Sequence, residues 1–411
     1  MNTASWKILT ISITLFLIAS IVPVSSATDD NANYYNEREG DYSTLDLDQN
    51  ITELMKQAKI PSVSACIIQN DEIVWSKGYG YCNRLRFWKK PDGDTIYGTG
   101  CVTTTITVTA LLQLYEKGLF NLSDDVNDYL DFNLRNPNYP DIPINFTMLL
   151  THQSGLCEYL PFNLFIQITN FLGFPKYSYQ LLKDLLVPGG RFYKPEAWQN
   201  VKPGTGFNYS CVAFRVLAYI VERLSGQSFG QYCKENIFEP LNMSNTGFYH
   251  RELKRKNLAV PYFPLSISFF NKKRTMLIRL PMGDDNMPGT NGLLTSTNDL
   301  SHFLIAHMND GVWNGNRILK ESTVELMHKI RVDNLSVYNL CSYGLGWSYM
   351  NESGTVFQGY SGNSLGGFTA YMGFNESNSS GVIILISSFT PEQAQFRTLI
   401  RNEVLKKATD L

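Results

Sequence analysis

Seven cysteines, at positions 66, 82, 101, 157, 211, 233 and 341, carry the most versatile chemistry of this 411-residue chain. A thiolate can be a nucleophile, a metal ligand or a disulfide partner, and its surroundings decide which. No two of them form a CxxC, and no histidine stands at metal-ligand spacing from one, so neither a metal nor a cofactor is expected. If the others pair, an odd count leaves one thiol over. Cys101 has a distinctive place. It precedes Val102 to Lys117, a run that reads as a helix stopped by Gly118. There the positive end of the helix dipole favours a thiolate. His152, His250, His302, His307 and His328 carry no motif that ties them to a cysteine, so each reads as a packing or surface residue.

The helix expected to carry Cys101 is ambiguous in its first half. Thr103 to Thr109 is rich in β-branched residues and on propensity alone fits a strand. Ala110 to Tyr115 and the glycine stop argue for a helix. Ile51 to Lys59 predicts an amphipathic helix stopped by Pro61. Ser62 to Ile68 and Glu72 to Lys77 predict a hairpin across Gln69-Asn70-Asp71. Residues 145–260 read as mainly helical with long loops. Leu293 to Leu300 reads as a strand ending at a helix cap. Strands are expected at Gly344 to Met350, Gly354 to Gln358, Gly366 to Gly373 and Gly381 to Ser387, then a helix from about Pro391 to Lys407. A sheet built from both chain ends around a helical insertion is an α+β plan. The aromatic stretch Tyr262-Phe263 to Phe269-Phe270 fits a pocket wall, a partner surface or a flap equally well.

Composition sets the class. Hydrophobic residues make up 44% and charged residues 18%, which excludes a mainly disordered chain. A net charge of −2 gives no basic footprint for nucleic acid. Residues 1–27 read as a signal peptide: Lys7, an apolar run from Ile8 to Val24, then small residues at Ser25-Ser26-Ala27. The alternative is an uncleaved signal anchor. No later stretch is apolar enough to span a membrane. Residues 28–48 read as a flexible acidic leader and 49–411 as one domain. Glycosylation sequons begin at Asn50, Asn121, Asn145, Asn208, Asn242, Asn334, Asn351, Asn375 and Asn378. The expectation is a glycoprotein that is secreted or held in a secretory-pathway lumen such as a lysosome or vacuole.

Several blocks, in order, resemble a known family. Thr99-Gly100-Cys101-Val102-Thr103-Thr104, running into a helix, resembles the first catalytic block of serine β-lactamases and penicillin-binding proteins. The nearest likeness is to the class C β-lactamase, D-Ala-D-Ala carboxypeptidase and esterase branch. Leu149 to Leu156 resembles the LLTHxSGL landmark, Pro203 to Cys211 the PGxxFxYSN block, and Ile237 to Met243 the IFEPLGM segment. Gly292 to Leu300 resembles GGLxSTAxDL, Tyr343 to Trp347 matches YGLGW, and Gly359-Tyr360-Ser361-Gly362 stands where the family carries GHSG. The likeness covers roughly residues 50–405. It implies a β-lactamase/transpeptidase-like fold, with an antiparallel sheet flanked by helices and a mostly helical region.

The resemblance also implies acyl transfer by S-x-x-K, with the lysine one helical turn after the nucleophilic serine. This chain departs from the family's pattern in all three catalytic blocks. Cys101 holds the serine position and Thr104 the lysine position. Tyr209 keeps the tyrosine, but Cys211 replaces its asparagine. Tyr360 stands at the third-block cation, while Ser361 and Gly362 remain as substrate-binding positions. A thiol or hydroxyl without a base or a lowered pKa is a poor nucleophile. The expectation is therefore a catalytically inactive relative that binds a small molecule or peptide. One alternative is an acyl hydrolase using Cys101 as nucleophile, assisted by Tyr209. Another is a self-assembling protein. The resemblance further places Cys101 and Cys211 in one cleft, where a disulfide between them would cap the site.

Overall fold

The computed structural model describes residues 46–83, 89–157, 179–269, 272–279, 284, 285, 287–335, 340–352, 354–364, 367–387, 390 and 393–410. The expected signal peptide and nearly all of the acidic leader lie outside the described residues. In chain order the elements are α1 (Leu47–Ala58), β1 (Ser62–Gln69), β2 (Glu72–Gly80), β3 (Tyr97–Gly98), α2 (Thr103–Glu116), α3 (Phe146–Leu150), α4 (Gln180–Leu186), α5 (Cys211–Ser225) and α6 (Phe229–Cys233). There follow β4 (Tyr262–Phe269), β5 (Lys272–Arg279), β6 (Leu294–Thr295), α7 (Thr297–Met308), β7 (Val312–Trp313), β8 (Asn316–Arg317) and α8 (Glu321–His328). The last are β9 (Leu340–Tyr343), β10 (Ser348–Glu352), β11 (Thr355–Ser364), β12 (Phe368–Asn375), β13 (Ser380–Ile386) and α9 (Ala394–Asp410).

Asn70 and Asp71 adopt φ of 50° and 69°. That left-handed backbone suits a tight hairpin turn, and it joins β1 to β2 as the sequence predicts. β1 pairs on its other side with β13, from Val63 opposite Ile386 to Gln69 opposite Ser380. The two chain ends thus share the middle of a seven-stranded antiparallel sheet, in the order β2-β1-β13-β12-β11-β10-β9. α1 packs on α9 and on β2, and α9 also packs on β1 and β13. α7 packs on β1, β13 and β12. Ser64 Oγ meets Thr297 Oγ1 at 3.1 Å, which ties the sheet to the start of α7. The α+β, β-lactamase/transpeptidase-like plan is what the chain adopts. No helix among the described residues is long and apolar enough to cross a membrane.

Two strand expectations shift. Gly344 to Trp347 is a turn, because Gly346 takes φ 68° and a Cβ there would meet Val108 Cγ2 at 2.2 Å. The turn delivers Trp347 fully into the core and leaves β9 and β10 on either side. β11 extends through Ser364 and so carries Tyr360, Ser361 and Gly362. The aromatic stretch from Tyr262 forms an antiparallel hairpin, with Tyr262 opposite Arg279.

The threonine-rich run resolves as helix α2, and Thr103, Thr104, Thr105, Thr107 and Thr109 are all buried. Buried hydroxyls need partners, and for all of these but Thr104 the backbone one turn back supplies them. Thr103 Oγ1 donates to Gly100 O (2.7 Å), Thr105 to Val102 O (2.9 Å), and Thr109 to Thr105 O (2.9 Å). This back-bonding lets β-branched polar residues sit in a core helix. Tertiary packing against α5 overrides their weak helix propensity.

Candidate functional site

Cys101 lies in a 3-10 turn, Gly100–Val102, that runs directly into α2. Gly100 takes φ 55°, and a Cβ there would lie 2.7 Å from the Asn363 backbone. From the opposite side, a Cβ on Gly362 would lie 2.1 Å from Thr99 O and 2.7 Å from Cys101 N. Strand β11 is therefore laid backbone-to-backbone against the Cys101 turn. Tyr360 and Gly362 share the face of β11 turned toward this turn. Strand alternation sends Ser361 to the other face, where it is exposed.

Cys211 is the first residue of α5, and Tyr209 lies just ahead of the helix. The Cys101 and Cys211 sulfurs are 4.0 Å apart, and Cys211 Sγ is 3.9 Å from the Tyr209 hydroxyl. A disulfide needs about 2.05 Å. The pair therefore stands as two adjacent thiols, and the cross-link raised by the sequence is not formed. Cys101 is partly exposed, whereas Cys211 is only 6% exposed.

His152 belongs to this site. Its carbonyl accepts the Asn208 N–H at 2.8 Å, and its Nδ1 accepts the Ser210 N–H at 3.0 Å. The two bonds clamp the backbone on both sides of Tyr209, and the imidazole packs on the Tyr209 ring with centroids 4.5 Å apart. His152 adopts φ 55°, an uncommon backbone that persists where surroundings over-determine it. Burial pushes its pKa down to about 3, so the ring is neutral. With Nδ1 accepting, the proton sits on Nε2 and is donated to Tyr343 Oη at 3.0 Å.

The chain continues inward. Tyr343 and Tyr360 hydroxyls meet at 2.9 Å, and Tyr360 donates to Tyr209 Oη at 3.4 Å. Tyr360 spends its proton on Tyr209, so Tyr343 donates to Tyr360. The order of donation is His152, Tyr343, Tyr360, Tyr209. Burial, and after it the neighbouring Cys101 and Cys211, push Tyr209 well above the ordinary tyrosine range. Burial does the same to Tyr343 and Tyr360. These phenols remain protonated donors at neutral pH.

Thr104 is fully buried, and its hydroxyl has no hydrogen-bond partner among the described residues. It cannot accept a proton at neutral pH. The bonds that run from His152 to Cys101 join imidazole, phenol and thiol groups. Among the described residues no three His, Cys, Asp or Glu side chains are grouped to hold a metal ion.

The remaining sequence candidates divide by exposure. Asn121, Asn242, Asn334, Asn351 and Asn378 are exposed. Asn145 caps α3 by accepting the Met148 N–H, and Asn208 donates to Leu156 O at 2.9 Å. Asn50 is buried and donates to Glu403 Oε2 at 3.0 Å; Asn375 is buried and donates to Val356 O at 3.0 Å. A buried, engaged amide is a poor glycan acceptor. Sequence spacing gives no sign that His152 and Tyr343 belong to the site. The available signal was that both fall inside family-like blocks and carry polar rings.

Comparison with known proteins agrees with this architecture. The sequence model of the Beta-lactamase family matches residues 47–406. A putative penicillin-binding protein, PbpX of Bacillus subtilis, is 32% identical over 220 residues, covering 53% of this chain and 49% of PbpX. Protein flp of Staphylococcus aureus is 26% identical over 348 residues, covering 84% of this chain and 63% of flp. The matches thus span about half of PbpX and under two thirds of flp. The octameric penicillin-binding protein homologue from Pyrococcus abyssi superposes with a TM-score of 0.73 at 27% identity, covering 88% of this chain and 77% of that one. A class C beta-lactamase superposes with a TM-score of 0.65 at 17% identity, covering 88% and 94%.

Proposed function

The chain belongs to the beta-lactamase family, and from that premise we propose that it is a non-catalytic member whose former acyl-transfer cleft binds a ligand. The observation that carries this reading is Thr104. Where the resemblance calls for a lysine one turn after the nucleophile, a fully buried hydroxyl stands with nothing to take up a proton. A nucleophile needs such a base or a lowered pKa, and neutral phenols do not replace it. Tyr360 at the third-block cation removes the charge that would attract an anionic substrate. The ligand this site suits is a neutral small molecule or peptide with hydrogen-bond acceptors. The five exposed sequons support a secreted or lumenal glycoprotein as its setting.

The test is turnover. Purified protein is assayed against an ester and chromogenic β-lactam panel, with and without a thiol alkylator, beside Cys101→Ala. The reading expects rates indistinguishable from that variant. Alkylator-sensitive turnover abolished by Cys101→Ala would establish the cysteine hydrolase instead. Restoring Cys101→Ser with Thr104→Lys is expected to recover no activity, because Tyr360 still fills the third-block position. The octameric state named for the Pyrococcus relative makes self-assembly the other arm, read by light scattering.

A further inference from the structure

We propose that Cys101 and Cys211 form a thiol–disulfide exchange site, with Cys101 taking up sulfur from a small-molecule disulfide and Cys211 resolving the adduct. The inference does not depend on whether the cleft hydrolyses anything.

Three observations carry it. The sulfurs stand 4.0 Å apart in a reduced pair, so closure asks for side-chain rotation more than backbone rearrangement. Their exposures differ in the sense that exchange requires. Cys101 is partly open to solvent, and Cys211 is nearly closed off behind it. An exposed thiol beside a resolving one is the arrangement of redox-reactive cysteines. Finally, the proton order from His152 through Tyr343 and Tyr360 ends at Tyr209, whose hydroxyl is 3.9 Å from Cys211 Sγ. Tyr209 Oη accepts the Cys211 S–H there, which holds the resolving sulfur beside Cys101. Cys66 is a contrasting thiol, fully buried, and burial pushes it up to about 12.

The chemistry balances with a small-molecule disulfide as oxidant. The Cys101 thiolate attacks one sulfur of the disulfide, whose S–S bond breaks and releases one thiolate. Cys211 then loses its proton and attacks Cys101 Sγ in the mixed disulfide. The second small thiolate leaves as the Cys101–Cys211 bond forms. Two protein thiols are oxidised, and one disulfide is reduced to two thiols. His152 and Tyr343 act as positioning residues, through Tyr209.

The experiment equilibrates the full chain with glutathione disulfide, quenches with acid, alkylates and maps the peptides. A linked Cys101–Cys211 peptide is expected. Cys211→Ser should stop at a glutathione adduct on Cys101, and Cys101→Ser should leave Cys211 unmodified. Modification at Cys101 should outpace that at Cys66 and Cys233 by at least about tenfold. Tyr343→Phe, which loosens the hold on Tyr209 and Cys211, should slow closure of the Cys101–Cys211 bond while the Cys101 adduct still forms and circular dichroism stays native. The proposal is overturned if both thiols remain alkylatable in treated wild-type protein, if Cys211 takes the adduct first, or if closure in Tyr343→Phe is as fast as in wild type.

Discussion

The Ser210 N–H donates to His152 Nδ1 at 3.0 Å, joining two segments 58 residues apart. That bond fixes the imidazole tautomer and with it the direction of every hydroxyl proton between Tyr343 and Tyr209. His152 also holds Asn208 through its carbonyl, so it shapes the stretch that presents Tyr209.

His152→Ala is therefore expected to be costly. It removes a buried ring and leaves the Ser210 N–H and Tyr343 hydroxyl without their partner. Such losses amount to about 2–4 kcal/mol. Urea unfolding checks this through a lower midpoint at unchanged slope.

Acid should destabilise the fold at mild pH. Burial depresses His152 and His328 to about 3 and holds His307 well below its ordinary value. These rings are neutral when folded and take up protons near pH 6.5 when unfolded. Stability is then full above that value and falls with decreasing pH, by up to about 1.4 kcal/mol per pH unit for each histidine. Asp299 opposes the trend. Burial raises it to about 6, so the folded state gains a proton first as pH falls from 6 toward 3.8. Burial lowers His302 as well and raises Glu222 and Glu352 with Asp299, so four histidines stand against three carboxylates, and the expected result is a thermal midpoint that drops from pH 7 to pH 5. A flat or rising midpoint across that interval would refute it.

Gly362→Ala and Ser361→Ala form a paired test of the strand–turn contact. A methyl at Gly362 meets Thr99 O at 2.1 Å and must push β11 off the Cys101 turn. Overpacking of this kind costs about 1–3 kcal/mol. Ser361 is exposed, so its replacement should stay within about 0.5 kcal/mol of wild type. Calorimetric melting of the two variants distinguishes them.

Glycan occupancy should follow exposure. Chain expressed in a secretory host should carry glycan at Asn121, Asn242, Asn334, Asn351 or Asn378 and none at Asn50 or Asn375. Enzymatic deglycosylation with peptide mass mapping reads each site.

The fold was largely legible because hydrophobic alternation and turn residues mark the strands at both chain ends. The family-like blocks then order the sheet. Where the reading slipped, local preference lost to tertiary contact. Thr103 to Thr109 is helical because packing against α5 holds it so and every buried hydroxyl but that of Thr104 finds a carbonyl one turn back. Gly344 to Trp347 turns because Gly346 abuts Val108. The replaced positions Cys101, Thr104, Cys211 and Tyr360 were legible by their place in the blocks. The links among them were not. His152, Tyr209, Tyr343 and Tyr360 meet across separations of 17 to 191 residues, which spacing cannot report.

The central claim is that this cleft no longer performs acyl transfer. The most direct measurement is intact mass during incubation with an activated aryl ester and a chromogenic β-lactam. The account predicts no Cys101-dependent acyl species that forms and is then hydrolysed over successive turnovers. An acyl increment on Cys101 that turns over, and is absent from Cys101→Ala, would contradict it.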